Sequence, residues 1–200
     1  EMRLKSTKEA TRKWAQLPAY FTENRQPKSN YILVPSHSSE NRRYIPIGFM
    51  TPNDILNNSC FSVPDATLFE FGILMSIMHM TWVEYVCGKL ESRYRYANTI
   101  VYNNYPWPEK LSTKQRELVE KAAQGVLDAR AHFPESSLAD LYDPNTMPPA
   151  LVKAHQTLDK AVDLCYRAQP FPNETKRIEF LFELYDKYTA GLFVKEKKKN

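Results

Sequence analysis

LFEFGILMSIMHMTWVEYV, residues Leu68–Val86, is the one long apolar run in the chain. Its length would suffice for a membrane span, but it contains Glu70, His79 and Glu84, and an acid near a helix centre costs roughly 2.5–3.5 kcal/mol in lipid. We therefore predict a long helix buried in a soluble core, with His79 as a core histidine. Asp65 is the predicted N-cap, because its side chain can accept hydrogen bonds from the first free N–H groups of the helix.

The residues on either side of this helix predict a small mixed sheet. Tyr31–Pro35 and Arg43–Met50 are rich in β-branched and aromatic residues, which favour strands, and residues 99–102 are a shorter candidate. Gly88 fits the position just past the end of the helix, where glycine most easily adopts a left-handed conformation.

The second half of the chain has a helical pattern. Ser112 and Gln115 match a capping box, and apolar residues follow at three- and four-residue steps. A second amphipathic helix is predicted after the prolines at 148–149, and Asn173 or Thr175 is expected to cap a third. The predicted fold class is α+β: a small mixed sheet packed on a long apolar helix, followed by an all-α helical module.

Changes of pattern and charge along the chain predict four segments. The first is a helical lead-in, with a helix over Met2–Leu17 that ends at Pro18, and its abrupt start indicates a piece cut from an upstream region. The predicted segments are the lead-in 1–30, a mixed α/β domain 31–107, a C-terminal helical domain 108–193 and a basic tail 194–200.

The composition is that of an ordinary globular protein. With 42% hydrophobic and 25% charged residues, the chain is neither disordered nor a coiled-coil rod, and its net charge of +4 permits an anionic partner without requiring one. The 3 cysteines (Cys60, Cys87, Cys165) are widely spaced, which favours free thiols over a disulfide framework or a zinc site. We therefore expect a reducing, cytoplasmic location and no membrane association.

No catalytic motif is complete in the sequence. Glycine-rich phosphate loops and a GxSxG elbow are absent, and the 4 histidines are scattered. Asp65 and Glu174-Thr175-Lys176 are halves of a nuclease-type motif, but they fall in different predicted modules. NNYPWP and NTMPPA each match only part of the [DNS]PP[YFW] motif of adenine-amino methyltransferases. We expect this chain alone to catalyse nothing, and to hold no metal.

The stretch GKLESRYRYAN, residues 88–98, carries the most specific chemistry. If it is extended, Glu91, Arg93 and Arg95 point to one side, while Tyr94 and Tyr96 point to the other side, towards a core. A guanidinium can donate two parallel bonds to guanine O6 and N7, and a carboxylate can accept from cytosine N4. The alternation therefore suits the reading of a G·C pair, although an exposed edge strand with a solvated ion pair would have the same pattern.

Residues 72–109, GILMSIMHMTWVEYVCGKLESRYRYANTIVYNNYPWPE, resemble the target-recognition segment of MmeI-like restriction–modification enzymes. The resemblance continues through YILVPSHSSENRRYIPIGF upstream, and through SLADLYDPNTMPPALVKAHQTLDKAVDLCY and RIEFLFELYDKYTAGL downstream. Enzymes of that family combine a nuclease, an adenine-N6 methyltransferase and a DNA-reading region in one chain. The resemblance implies a target-recognition domain followed by the family's C-terminal helical domain.

The resemblance also implies roles for individual residues. Glu91 and Arg93 would read one base pair of double-stranded DNA as a couple, and Arg95 would read a neighbouring purine. The polar loops that match family specificity positions point to Ser36, Asn58 and Ser59. Arg42 and Arg43 would be phosphate contacts or simple surface charge.

The same resemblance assigns the chemistry to a part of the family's chain that these residues do not match. The partner within the parent chain would be an upstream methyltransferase domain, and any requirement for S-adenosylmethionine or magnesium would belong to that part. No cofactor is expected in the residues present.

Two other functions are compatible with the pattern. The aromatic segment NNYPWPE and the helical half could form a protein-docking module that does not bind DNA. A small hydrolase would have only the scattered Asp65, Glu174 and Lys176 to support it.

Overall fold

The computed structural model describes residues 2–17 and 25–190. The predicted helix end at Pro18 and the basic tail 194–200 lie outside these residues. In the lead-in, the predicted helix over Met2–Leu17 is shorter, because only Glu9–Lys13 is α-helical and Trp14–Gln16 form a 3₁₀ turn.

The described residues contain six short strands and seven α-helices. The strands are β1 Tyr31–Pro35, β2 His37–Ser38, β3 Gly48–Met50, β4 Cys60–Pro64, β5 Gly88–Leu90 and β6 Arg93–Arg95. The helices are α1 Glu9–Lys13, α2 Leu68–Leu74, α3 Ile77–Val86, α4 Thr113–Ala131, α5 Leu138–Leu141, α6 Pro149–Tyr166 and α7 Glu174–Thr189. The predicted α+β class is confirmed, with small sheets in the first half and helices in the second.

The strands form two antiparallel three-stranded sheets, which are connected where β1 runs into β2. The first has the order β3-β1-β4, with Tyr31 opposite both Met50 and Pro64, and the second has the order β2-β6-β5. The chain leaves the first sheet at the end of β1 and enters the second at β2, so Ser36 is the only residue between the two strands. The two sheets are therefore fixed to each other at this residue.

The predicted strand Arg43–Met50 is correct only for its last three residues, Gly48–Met50. Pro46 has no N–H to donate to a ladder. Tyr44 and Ile47 are buried and bond to the helical half instead: the Tyr44 hydroxyl donates to Asp159 Oδ2 at 2.7 Å, and Ile47 O accepts from Arg130 Nη1 at 2.8 Å. This segment joins the two halves of the molecule rather than extending the sheet.

The predicted strand at residues 99–102 is wrong, because this segment is a series of turns. Val101 N donates to Ala97 O at 2.8 Å, and the Asn104 side chain donates to Thr99 O and Ile100 O. These local bonds use backbone groups that a ladder would need. Val101 is still buried.

The long apolar run is two helices rather than one. The break follows Leu74, and Ser76 caps α3 by accepting from His79 N at 3.3 Å. Asp159 of α6 reinforces this start, since its Oδ1 accepts from Ile77 N at 2.8 Å. The prediction of a single helix failed because a residue 82 positions away supplies part of the cap.

The predicted caps at the two ends of this run are also corrected. The N-cap is Thr67, which forms a capping box with Glu70, whereas Asp65 has a φ of 56° in the loop before it. Gly88 has no left-handed φ and begins β5 instead of ending the helix. In the helical half, the capping box of Ser112 and the cap by Asn173 are confirmed.

Helices α4 and α6 pack against each other, and α2 packs on α4. A single cluster of buried apolar side chains runs through both halves, from Ile32 in β1 to Leu181 in α7. The hydrogen bonds of Tyr44 and Arg130 cross the same boundary. The helical half is therefore a direct support for the sheets that precede it.

Candidate nucleic-acid interface

The stretch GKLESRYRYAN forms a β-hairpin rather than one extended strand. Strand β5 pairs with β6, Leu90 lies opposite Arg93, and Glu91 and Ser92 form the two-residue turn between them. Glu91 has a φ of 58°, in the left-handed region that a hairpin turn needs and that is unfavourable for a residue with a Cβ. The predicted extended conformation is therefore wrong at Glu91 and correct at Arg93–Arg95.

The alternation of outward and inward side chains in β6 is confirmed. Arg93 and Arg95 are exposed, and Tyr94 and Tyr96 are buried. Tyr94 has Lys89 Nζ 6.0 Å from its ring centre, and burial raises the pKa of its hydroxyl to about 12. The two tyrosines hold the hairpin on the core while the arginines point into solvent.

Glu91 in the turn and Arg93 at the start of β6 form an ion pair. Arg93 Nη2 lies 2.7 Å from Glu91 Oε2, and the two side chains are 52% and 74% exposed. An exposed pair of this kind contributes only about 0–1 kcal/mol to stability. The pair is therefore not needed to hold the hairpin, and both groups stay accessible to a ligand.

Arg95 has no hydrogen-bond or ion-pair partner for its guanidinium within residues 2–17 and 25–190. Its neighbours in the sheet are His37 on β2 and Gly88 on β5. A Cβ atom at Gly88 would lie 3.8 Å from Arg95 O and near nothing else, so the β5 side of Arg95 is open. The arrangement leaves the five N–H donors of the guanidinium available.

A second carboxylate, on Glu40, lies beside the hairpin. A hydrogen bond from the Ser92 side chain, with the charges of Arg93 and Lys89 as smaller causes, lowers the pKa of Glu40 below its usual value. Local sequence reasoning did not identify Glu40 or His37, because only the pairing of β2 with β6 brings their loop to the hairpin.

The predicted residues Ser36 and Ser59 are brought together. Ser36 is buried, its backbone N donates to Ser59 O at 2.9 Å, and its hydroxyl donates to the same oxygen at 2.7 Å. Ser36 O in turn accepts from Tyr96 N at 2.9 Å, at the end of β6. Ser36 thus links the loop before β4 to the hairpin.

Asn58 and Ser59 are exposed, and Asn58 lines a cleft of about 1150 Å³. Asn57 shapes this loop, since its Oδ1 accepts from Ser59 N at 2.8 Å and from Ser59 Oγ at 2.9 Å. Tyr96 and Tyr102 line the same cleft. The exposed Asn58 amide brings both hydrogen-bond donors and an acceptor to this cleft.

Arg42 and Arg43 lie in the loop after β2. Arg42 is half-buried, with Nη2 at 3.5 Å from Ala139 O, whereas Arg43 is exposed with its guanidinium carbon 5.9 Å from the Tyr44 ring centre. Arg43 is therefore the more accessible cation of the two.

His79 lies beneath the hairpin and is confirmed as a core histidine. Its Nδ1 donates to Leu74 O at 3.0 Å, so its Nε2 accepts from the Tyr96 hydroxyl at 3.1 Å. Burial lowers the pKa of His79 to about 4, so the ring is neutral at pH 7. It positions Tyr96 and is not available to a ligand.

Two features are absent from the described part of the chain. No helix there is long and apolar enough to cross a membrane. Within the same residues, no group of three or more histidine, cysteine or acidic side chains is arranged to hold a metal ion.

Two protein families match this chain in succession. The family described as "MmeI, target recognition domain" matches residues 1–109, and "MmeI, C-terminal domain" matches residues 111–193. The chain is 43% identical over 187 residues to DNA methyltransferase A of Bacillus subtilis (strain 168), covering 94% of this chain and 21% of that protein.

A solved structure gives a similar result. The type IIL restriction-modification enzyme MmeI in complex with DNA superposes with a TM-score of 0.87 at 48% identity, over 94% of this chain and 25% of that one. The chain therefore spans about a quarter or less of the length of both relatives.

Proposed function

The chain belongs to the MmeI family, of which it matches the target recognition and C-terminal domains, and we propose that it reads a specific sequence in double-stranded DNA. The observation that carries this proposal is the hairpin, which presents the Glu91–Arg93 pair and Arg95 outward from an anchor of buried tyrosines. Similarity to MmeI, which was solved in complex with DNA, supports it.

In this proposal the hairpin enters the major groove. Glu91 and Arg93 read one G·C pair as a couple, with the carboxylate accepting from cytosine N4 and the guanidinium donating to guanine O6 and N7. Arg95 reads a neighbouring purine. Each such contact is worth roughly 1–3 kcal/mol of discrimination against the wrong base.

The loop before β4 supplies further contacts. Asn58 can bind the N6 and N7 atoms of adenine, and the Ser59 hydroxyl oxygen, whose proton goes to Asn57 Oδ1, can accept from an amino group on a base edge. Ser36 belongs to this reading set through its bond to Ser59 O. Arg42 and Arg43 contact phosphates, which fixes register without carrying sequence information.

The proposed domain boundaries separate the part of the chain that reads DNA from the helical part that follows it. Residues 31–107 form the reading domain and 108–193 the helical domain, and the lead-in and the basic tail flank them. The helical domain supports the reader from behind through the bonds of Tyr44 and Arg130.

The parent chain supplies the chemistry in this proposal. An upstream domain methylates adenine with S-adenosylmethionine and another cleaves with magnesium, while the residues present catalyse neither step. The great length and the name of DNA methyltransferase A support this division. The methyltransferase flips the target adenine out of the stack, and the reader fixes which adenine that is.

Binding of a labelled duplex to the 200-residue chain, measured at low and moderate salt, tests the DNA partner. Affinity should fall steeply with salt, because each neutralised phosphate releases counterions. A chain that binds no duplex at low salt would contradict the proposal and favour the docking function.

Exchange of charges in the hairpin tests the site. Glu91→Lys combined with Arg93→Asp keeps the net charge, and in the intact parent protein it should change the accepted base at one position of the methylated motif. Sequencing that reports methylated adenine in the host genome measures this directly. The control is Lys176→Glu with Glu179→Lys, which inverts an exposed ion pair on α7 and should leave the motif unchanged.

A further inference from the structure

We propose that His37 is a further specificity-determining residue, which reads an amino group on a base edge through its Nε2 atom and works as a couple with Arg95. The inference rests on the proposed function of the hairpin and adds a reader to it. Its ligand is the exocyclic amino group of cytosine or adenine in the major groove.

The sheet register places His37 beside Arg95. His37 in β2 lies directly opposite Arg95 in β6, and directly opposite residues of an antiparallel pair project from the same face, with Cβ atoms about 4.5–5.5 Å apart. Both side chains are exposed. On its other side Arg95 faces Gly88, so a base edge can approach the pair from there.

Ser36 fixes which nitrogen of His37 carries the proton. The Ser36 hydroxyl has one proton, and it donates that proton to Ser59 O, which can only accept, at 2.7 Å. His37 Nδ1 lies 2.9 Å from the same hydroxyl oxygen, so Nδ1 must be the donor of that bond. The neutral ring then has an unprotonated Nε2, which is an acceptor.

The resulting couple repeats the chemistry of Glu91 and Arg93. In each case an acceptor stands beside a guanidinium on the second sheet or its turn: the Glu91 carboxylate with Arg93, and the His37 Nε2 with Arg95. An acceptor in the major groove selects bases that present an amino group, cytosine N4 or adenine N6. Arg95 beside it donates to a guanine, either in the same pair or in the next one.

Three substitutions at His37 test the inference in the intact parent protein, with the methylated motif read by sequencing. His37→Ala should lower discrimination at one position of the motif by about 5- to 100-fold. His37→Glu keeps an acceptor and should retain the preference for an amino-bearing base. His37→Lys presents only donors and should shift the preference to guanine or thymine at that position. The base that the unmodified protein prefers at this position of the motif shows whether the ligand of His37 is cytosine or adenine.

Ser36 is a positioning residue in this inference. Ser36→Ala removes the oxygen that accepts from Nδ1, so both tautomers become populated and the same position of the motif should relax, whereas Ser36→Thr should restore it. The nitrogen resonances of the His37 ring in the 200-residue chain report the tautomer without DNA. They should show protonated Nδ1 in the unmodified chain and in Ser36→Thr, and a mixture in Ser36→Ala.

The outcomes separate this inference from the function on which it rests. If the exchange at Glu91 and Arg93 changes the motif but no His37 variant does, the inference is wrong and the proposed function stands. If neither the exchange at Glu91 and Arg93 nor any His37 variant changes the motif, the proposed function itself is contradicted. A protonated Nε2 in the unmodified chain would overturn the role of Ser36, whatever the motif shows.

Discussion

Val119 of α4 packs directly against the backbone of Gly72 in α2: a Cβ atom at position 72 would lie 2.7 Å from Val119 Cγ1. The same atom would lie 3.3 Å from Ala123 Cβ and from Leu158 Cδ1. Gly72 thus marks the point where α2 meets both α4 and α6. Gly72→Ala should lower the free energy of unfolding by about 1–3 kcal/mol, because the added methyl group overpacks this contact. Urea unfolding followed by circular dichroism measures the change.

Gly125 is the matched control for this substitution. It lies inside α4, and a Cβ atom there would meet nothing within 4 Å. Gly125→Ala should therefore raise the free energy of unfolding by roughly 0.5–1 kcal/mol, through the higher helix propensity of alanine. Equal losses in both variants would show that the contact with Val119 is not the cause.

Stability should fall as the pH drops from about 6.5 towards 4. Burial lowers the pKa of His79 to about 4, and burial lowers that of His155 to about 3. The unfolded chain therefore takes up protons in this window that the folded chain does not, and His79 alone accounts for ~3 kcal/mol. Burial raises the pKa of Asp159 to about 6, which opposes the trend.

Unfolding free energies of His79→Gln at several pH values check this prediction. In this variant, the free energy of unfolding should depend less steeply on pH between 6.5 and 4, because only the contribution of His155 remains. An unchanged slope in His79→Gln would mean that the ring takes up its proton without unfolding.

The turn of the hairpin stores strain at Glu91. Because its φ of 58° is unfavourable for a residue with a Cβ and free for glycine, Glu91→Gly should raise the free energy of unfolding by up to ~1 kcal/mol. Under the proposed function the same variant loses the carboxylate and relaxes recognition of one base pair. Thermal unfolding and the methylated motif give the two readouts.

Ser92 provides the comparison within the same turn. Its φ is not positive, so Ser92→Gly gains nothing from the permissive backbone and should lose roughly 0.5–1 kcal/mol. If both glycine variants lose stability, the strain at Glu91 is not relieved by removing its side chain.

Tyr142 holds the buried Arg130 in place. Its hydroxyl oxygen accepts from Arg130 Nε at 2.9 Å and Nη2 at 2.6 Å, and it lies 2.7 Å from His155 Nε2. Tyr142→Phe leaves a buried guanidinium short of acceptors, so the free energy of unfolding should fall by about 2–3 kcal/mol. Tyr85→Phe, on an exposed tyrosine, should stay within roughly 0.5 kcal/mol.

The sequence predicted the elements whose signals are local. The strand Tyr31–Pro35 was predicted with its observed bounds, because β-branched residues and flanking polar loops determine it. Ser112 was predicted as a cap, and Asn173 as one of two candidates with Thr175, because capping chemistry spans only three residues. The burial of Tyr94 and Tyr96 followed from the two-residue period of a strand.

The failed predictions depend on residues far apart in the chain. The break after Leu74 is reinforced by Asp159, and the segment after Arg43 bonds to the helical half, so no local pattern reveals either. His37 was not predicted as a site residue for the same reason. Strand β2 is only two residues long, and its partner strand begins 55 positions later, at Arg93.

The burial of Tyr94 between two exposed arginines has an evolutionary consequence. The tyrosine supplies the anchorage, and its neighbours on either side make no contribution that the interior requires. Mutational drift can therefore exchange the outward residues while selection preserves the inward one. Under the proposed function, proteins that carry this hairpin can therefore diverge in the DNA sequence they select while keeping the fold.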